Sequence, residues 1–91
     1  MIKGKTSSGF KFAIDERVKT DWRLIDAIAS IDSGDITKQI AGMNSLADLI
    51  LGERKCEFLE HIAKKNDGYA PIDIVSNELK EILQAEELKN S

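Results

Sequence analysis

The spacing of apolar residues changes once along this chain, and the change constrains the fold more than any other feature. From Phe10 to Ile14 apolar residues recur at a period of two, which is typical of a strand with one buried face. From Asp15 onward the period is about 3.6, as in an amphipathic helix. The pattern therefore predicts a β-hairpin over residues 1–14 followed by helices, an α+β fold that is mostly α.

The hairpin turn is recognisable from its residue types. Thr6-Ser7-Ser8-Gly9 is a turn-rich cluster between two short candidate strands, and its glycine can adopt a positive φ. A two-stranded ribbon is marginally stable alone in water, so its apolar face should pack on the helices. We expect a single domain over residues 1–91, with the hairpin packed on a compact bundle of four to five short helices in residues 15–88.

Capping residues and glycines predict where the helices begin and end. Asp15 or Thr20 can cap the first helix, which should end at Ser33-Gly34. Gly42 and the following Ser45-Leu46-Ala47-Asp48 capping box favour a short helix over 36–42, a corner and a new helix from Ser45. Two more helices are expected over 53–65 and 71–87, separated by a loop containing Gly68 and Pro71.

For two residues, Trp22 and Cys56, the simplest interpretation is a place in the core. Trp22 lies near the junction of the hairpin and the first helix, where we expect a core anchor, with a partner interface as the alternative. Cys56 lies on the apolar side of the third helical segment and is expected to be a small core residue. A single cysteine permits no internal disulfide, so folding should depend on packing, as suits a reducing compartment.

The charges are weak in total but unevenly distributed. Thirteen lysines and arginines against sixteen acids give a net charge of -3. Residues 1–12 carry three lysines and no acid, whereas residues 72–91 carry five acids and two lysines. This balance argues against a broad basic face for nucleic acid. No apolar run approaches the ~18 residues of a membrane span, so we expect a cytoplasmic protein with no membrane contact.

The chemically suggestive residues do not form a recognised site. If Gly68 stood at the sixth position of a calcium loop, the first, third and twelfth positions would be Ala63, Lys65 and Ile74, which cannot serve as carboxylate ligands. Cys56 and His61 are separated by about 140° around a helix, too far to share a metal or act as a nucleophile and base. We therefore expect no catalytic residue, no metal and no cofactor.

Residues 36–44 resemble part of a helix-turn-helix, but the register is wrong. The turn glycine of that motif follows a small residue of the first helix by four positions, and four residues after Ala41 comes Ser45. The helix from Leu46 to Leu51 contains no Arg, Lys, Asn or Gln to read base edges. A small helical nucleic-acid-binding or regulatory protein remains the alternative hypothesis, and an enzyme is the least supported.

The order of the segments resembles a known family over nearly the whole chain. After the hairpin come an Asp-Trp helix over 21–26, an apolar segment ending at 49–53, a helix over 56–65, an Asp-Gly-Tyr-x-Pro loop at 67–71 and an acidic helix over 76–83. This arrangement is similar to the small tail assembly chaperones of long-tailed bacteriophages and prophages. The motifs are degenerate and none is catalytic.

The resemblance implies a role in virion assembly inside the bacterial host. Proteins of this family bind the long tape measure protein before tail-tube subunits polymerise around it, so the resemblance implies that protein as the partner and leaves open a homo-oligomer and contact with the tail-tube protein. On this hypothesis the client binds apolar positions of the last helix and the tryptophan, and the candidate partner-binding residues are Trp22, Ile74, Ala85 and Leu88.

Overall fold

Four α-helices follow an antiparallel hairpin in the computed structural model, which describes residues 1–84. The elements are β1 (Ile2–Lys5), β2 (Lys11–Ile14), α1 (Trp22–Ile31), α2 (Ile36–Leu51), α3 (Lys55–Lys64) and α4 (Ile72–Leu83), with short 3₁₀ helices at Glu16–Thr20 and Gly52–Arg54. The expected class, α+β and mostly α with an N-terminal hairpin, is confirmed. The part of the predicted last helix beyond residue 84 lies outside the described residues.

The hairpin has the register that its apolar alternation predicts. Ile2 pairs with Ile14 and Gly4 with Phe12. The turn is closed by the Thr6 N–H, which donates to the Phe10 carbonyl at 2.9 Å, and by the Gly9 N–H, which donates to the Thr6 carbonyl at 2.9 Å. Gly9 has φ +93°, a conformation that a side chain would disfavour. One face of the ribbon is therefore buried and the other carries its lysines.

Aspartates begin three of the helical segments. The carboxylate of Asp15 accepts from the Arg17 N–H, that of Asp21 from the Arg23 N–H, and that of Asp35 from the N–H groups of the next turn. Asp15 therefore caps a 3₁₀ turn, whereas α1 is capped by Asp21, so the prediction of Asp15 or Thr20 as the cap of that helix is wrong. Asp21 has an extended backbone (ψ 124°) that interrupts the helical segment. The helix α1 therefore begins at Trp22 and is not continuous with the turn that Asp15 caps.

The predicted corner at Gly42 is wrong, because α2 runs unbroken from Ile36 to Leu51. A Cβ on Gly42 would lie 2.8 Å from the Ser30 Cβ and 2.9 Å from the Ala27 carbonyl oxygen of α1. The glycine therefore permits a close crossing of α1 and α2 and does not end a helix.

The core joins the apolar face of the hairpin to α2, α3 and α4. Phe10 and Phe58 pack edge to face with ring centroids 5.0 Å apart, which fixes the hairpin on α3. The cluster comprises Ile2, Phe10, Phe12, Ile14, Val18, Ala27, Leu46, Ala47, Ile50, Leu51, Phe58, Ile62, Leu79 and Ile82.

Two core predictions are wrong, each for its own reason. The interrupted helix at Asp21 removes Trp22 from the stripe of Val18, and Trp22 is 69% exposed. In α3 the buried side is centred on Phe58 and Ile62, which face the core with the hairpin, and this rotation leaves Cys56 exposed. In α3, the packing of Phe58 on Phe10 of the hairpin therefore determines which face is buried.

The loop between α3 and α4 has the predicted ends. The Gly68 N–H donates to the Ala63 carbonyl at 2.8 Å, and Gly68 has φ +90°. Pro71 is extended and immediately precedes α4. This geometry satisfies carbonyls at the end of α3 and confirms that the segment is a helix cap and turn.

Candidate functional site

An apolar depression of about 480 Å³ lies between α2, α3 and α4, and we name it the α2–α4 groove. It is a surface groove and not an enclosed cavity, because several of its lining side chains are exposed. Its lining consists of Ile31, Ile36, Gln39, Ile40, Met43, Asn44, Ala47, Lys55, Phe58, Leu59, Ala70, Ile72, Val75, Ser76, Leu79 and Lys80.

Helical spacing explains one wall of the groove. On α2, Ile36, Ile40 and Met43 stand at i, i+4 and i+7, which places them on one side of the helix. Ile36 is 72% exposed and Ile40 is 51% exposed. Along α2 the lining extends to Ala47, a length of roughly 16 Å at 1.5 Å per residue.

The opposite wall comes from α4. Ile72, Val75 and Leu79 stand at i, i+3 and i+7, so they form a second row on one side of that helix. Ile72 is 70% exposed, whereas Leu79 is buried. Exposure therefore decreases along α4, and the groove has an open end at Ile72 and a floor at Leu79.

Buried side chains make the floor of the groove part of the core. Ala47, Phe58 and Leu79 line the groove and also belong to the core cluster. Since these residues are held by close packing, the floor does not require rearrangement before a ligand can lie on it. The groove is thus a preformed apolar surface of about three helical turns.

The charged residues that line the groove are two lysines. Lys55 Nζ donates to Asn44 Oδ1 at 2.5 Å and to Asp48 Oδ1 at 2.9 Å. Lys80 is exposed on α4. Within residues 1–84 no carboxylate lines this groove, although the chain as a whole has more acids than bases.

Neither of the sequence-predicted partner residues within 1–84, Trp22 and Ile74, lines this groove. Trp22 lies at the start of α1 and is exposed, but it is not among the lining residues. Ile74 is half-buried against the core and is likewise outside the lining. Ala85 and Leu88 lie outside the described residues. Sequence reasoning therefore missed the main apolar surface among the residues described here.

The apolar spacing of residues 36–51 contains a sequence signal for the groove. Residues 36–51 have apolar residues on more than one side, and in their second half they leave little polar face, which favours burial or contact with a partner. In the structure the second half is buried and the first half, with Ile36 and Ile40, is exposed. The signal was present in the i, i+4 spacing, but the choice of half depends on where α3 and α4 pack.

A smaller apolar face lies on α1. Trp22, Ile25 and Ile28 are all exposed and occupy adjoining positions around the helix. The side of α1 that faces α2 is formed by Ala27 together with Leu24 and Ile31. The tryptophan therefore remains available for contact with a partner, but on a surface separate from the α2–α4 groove.

The hairpin tip collects polar side chains against α3 and α4. Ser8 Oγ donates to Glu78 Oε1 at 2.6 Å, and Ser7 donates to both oxygens of Glu81. His61 Nε2 lies 3.0 Å from the Ser8 carbonyl oxygen and not beside its hydroxyl. The imidazole therefore contacts the backbone of Ser8, while the Ser8 hydroxyl contacts Glu78, and together these contacts hold the hairpin tip against α3 and α4.

The carboxyl groups with lowered pKa values are at helix starts, away from the groove. The side-chain hydrogen bonds from Arg17, with its backbone N–H, lower the pKa of Asp15 to about 2, and Arg23 does the same for Asp21. A hydrogen bond from Arg54 lowers the pKa of Glu57. These shifts favour the ionised form of carboxylates that cap helices or pair with an arginine.

Neither a metal-binding cluster nor a membrane-spanning helix is found among residues 1–84. Within residues 1–84, no three His, Cys, Asp or Glu side chains converge as a metal site would require. None of the described helices combines the length and the apolar character required to cross a membrane.

The segment considered as a recognition helix is not accessible. Leu46, Ala47, Ile50 and Leu51 are buried at the end of α2. A helix that reads DNA has to enter the major groove with side chains exposed to base edges. The geometry therefore gives no support to the nucleic-acid alternative at this position.

Comparison with known proteins found no match: no protein-family model, no curated protein and no solved structure is significantly similar to this chain.

Proposed function

We propose that this chain is a non-enzymatic tail assembly chaperone of a bacteriophage or prophage that binds helical segments of the tape measure protein during tail assembly. The observation that carries the proposal is the α2–α4 groove, whose isoleucines at 36, 40 and 72 are largely exposed. The order of the sequence segments, which resembles that family, supplies the identity of the client. The cytoplasm of the bacterial host is the corresponding location.

The groove suits a helix better than an extended peptide. Two rows of apolar side chains, one from α2 and one from α4, run beside a closed floor. An amphipathic helix can insert its own i, i+3, i+4 and i+7 side chains between such rows, as ridges enter grooves in helix packing. An extended strand would instead need an open sheet edge, which this groove does not offer.

The size of the groove favours reversible binding. A length of roughly 16 Å contacts about three turns of one helix, well short of a standard protein interface. Several copies on one long client would each bind weakly, and tube subunits could then displace them. This affinity regime is what an assembly chaperone requires, and it is compatible with self-association along the client.

Co-expression tests the proposal with matched variants. The tape measure protein encoded beside this chain is produced with tagged wild-type protein, with Ile40→Asp, or with Ile25→Asp. Ile40 lines the groove and is 51% exposed, while Ile25 on α1 is 53% exposed and outside the groove. Both variants place a charge at a surface site, so their effects on folding should be similar and small.

The expected result separates the two surfaces. Wild type and Ile25→Asp should co-purify with the tape measure protein and keep it soluble, whereas Ile40→Asp should lose at least most of the client. Ile36→Asp provides a second groove variant, since an aspartate in the first turn of α2 is favourable for the helix. Absence of co-purification with wild type, or equal recovery with the groove variants, contradicts the proposal.

A further inference from the structure

The charge at the α2–α4 groove is opposite to that of the chain. The net charge is -3, yet the charged side chains among the described lining residues are Lys55 and Lys80. An apolar ligand helix would contact the floor, and its flanking residues would lie beside these lysines. The charge of those flanking residues therefore affects how well a helix binds.

Lys55 and Lys80 differ in their surroundings. Lys55 is held by Asn44 and by the carboxylate of Asp48, so much of its charge is compensated. Lys80 forms no ion pair with any residue in 1–84. The positions of α4 that lie three or four residues from Lys80 are Ser76, Asn77 and Leu83, and none of them is acidic.

The two acids nearest to Lys80 in sequence are engaged elsewhere. Glu78 accepts from the Ser8 hydroxyl, and Glu81 accepts from the N–H and hydroxyl of Ser7. The hairpin tip therefore holds these carboxylates on another side of α4. As a result, Lys80 presents a positive charge at the groove without a carboxylate partner among the described residues.

We propose that the α2–α4 groove binds an acidic amphipathic helix, with Lys80 as the residue that selects for negative charge. This inference rests on the proposed function and adds the chemistry of the client segment to it. The segment has apolar side chains at i, i+4 and i+7 over about three turns, with Asp or Glu on the flank that lies beside Lys80. A basic amphipathic helix of the same apolar pattern is disfavoured by repulsion.

Two synthetic peptides provide the probe. Each has about 14 residues with leucines at the same helical positions, and the outward positions carry glutamate in one peptide and lysine in the other. Binding to the full chain is measured by fluorescence anisotropy of a peptide label, at low and high salt. The acidic peptide should bind about five- to tenfold more tightly at low salt, and the difference should shrink at high salt because exposed charge pairs are screened.

Charge reversal at Lys80 gives the residue-specific result. Lys80→Glu should remove or invert the preference between the peptides, and Lys80→Gln should reduce it. Lys3→Glu, which makes the same charge change on an exposed hairpin site outside the groove, is the matched control and should retain the preference. Circular dichroism of each variant establishes that it is folded.

Four outcomes overturn this inference. Three concern the peptides: equal affinity for the two, a preference unchanged by Lys80→Glu, or no binding of either. The fourth is self-association of the free chain that is abolished by Ile40→Asp, because it would assign the groove to a second copy. None of them decides the proposed function, because co-purification of the tape measure protein with wild type and its loss with Ile40→Asp is a separate measurement. Failure of co-purification with a retained acidic preference would leave a helix-binding groove with a different client.

Discussion

Ser7 at the hairpin tip donates two hydrogen bonds to Glu81 of α4, from its backbone N–H to Oε1 and from its hydroxyl to Oε2, each 2.7 Å long. The two residues are 74 positions apart. The basic hairpin and the acidic last helix therefore meet within one chain. The hydrogen bonds from the hairpin to Glu78 and Glu81 come from Ser8 and Ser7, and not from its lysines.

Removal of the Glu81 carboxylate should destabilise the fold. Glu81→Ala leaves the Ser7 N–H and hydroxyl without their acceptor, and we expect a loss of about 1 kcal/mol in the free energy of unfolding because water can partly replace the carboxylate. Urea denaturation followed by circular dichroism measures the change. Glu60→Ala, at an exposed position of α3, is the control and should be close to neutral; equal midpoints for the two variants would contradict this role of Glu81.

A side chain at Gly42 should weaken the packing of α1 on α2. Alanine normally favours a helix over glycine by up to about 1 kcal/mol, but here its Cβ would approach Ser30 and the Ala27 carbonyl below 3.0 Å. We expect Gly42→Ala to lower the free energy of unfolding by about 1–3 kcal/mol. Thermal unfolding compares it with Ser45→Ala, at an exposed position of the same helix. A stabilised Gly42→Ala would show that the helices can separate at little cost.

Trp22 should behave as a surface residue in solution. It is the single tryptophan of the chain, so its fluorescence reports this site alone. We expect emission at a water-exposed wavelength in the folded protein, ready quenching by acrylamide, and a change of less than about 1 kcal/mol in stability for Trp22→Ala. Phe58→Ala, in the core, should cost about 3–5 kcal/mol. A blue-shifted, protected emission in the folded chain would mean that the indole is covered.

The aspartate caps predict a loss of stability in acid. Hydrogen bonds from Arg17 and Arg23 lower the pKa values of Asp15 and Asp21 from 3.8 to about 2 in the folded chain. Because the folded values are the lower ones, this contribution is complete above about pH 4 and is lost as the pH falls toward about 2. Both carboxylates are only half-buried and remain in contact with solvent, so added salt should diminish the effect.

Asparagine replacements isolate this titration. Asn keeps an acceptor for helix capping but has no carboxyl group to protonate. The double variant with Asp15→Asn and Asp21→Asn should therefore show a shallower fall in thermal midpoint between pH 4 and pH 2 than wild type. Parallel curves for the two proteins would assign the acid sensitivity to other groups.

Local patterns accounted for most of the secondary structure. The alternation from Phe10 to Ile14, the turn at Gly9 and the Gly68–Pro71 loop each depend on neighbours in sequence, and the structure has them as predicted. Gly42 was misread because a glycine that ends a helix and one that admits a neighbouring helix have the same local signal. The difference lies in α1, which contributes Ala27 and Ser30.

The groove was harder to predict than the fold. Its walls, α2 and α4, have separate apolar rows, and each row alone is compatible with burial. The exposure of Ile36 and Ile72 depends on how α2, α3 and α4 pack against one another. Trp22 and Ile74 were chosen from single-helix patterns, which contain no information on how far apart the helices lie.

The contact between Ser7 and Glu81 also has a consequence for the order of events in folding. A four-residue-strand hairpin has little stability of its own, and its apolar face lies on residues such as Phe58 that are translated much later. Contact between Ser7 and Glu81 closes a loop of 74 positions. The chain must lose the conformational entropy of this loop before α4 can hold the hairpin in place. We therefore expect residues 2–14, although synthesised before the helices, to be among the last to acquire native protection from hydrogen exchange.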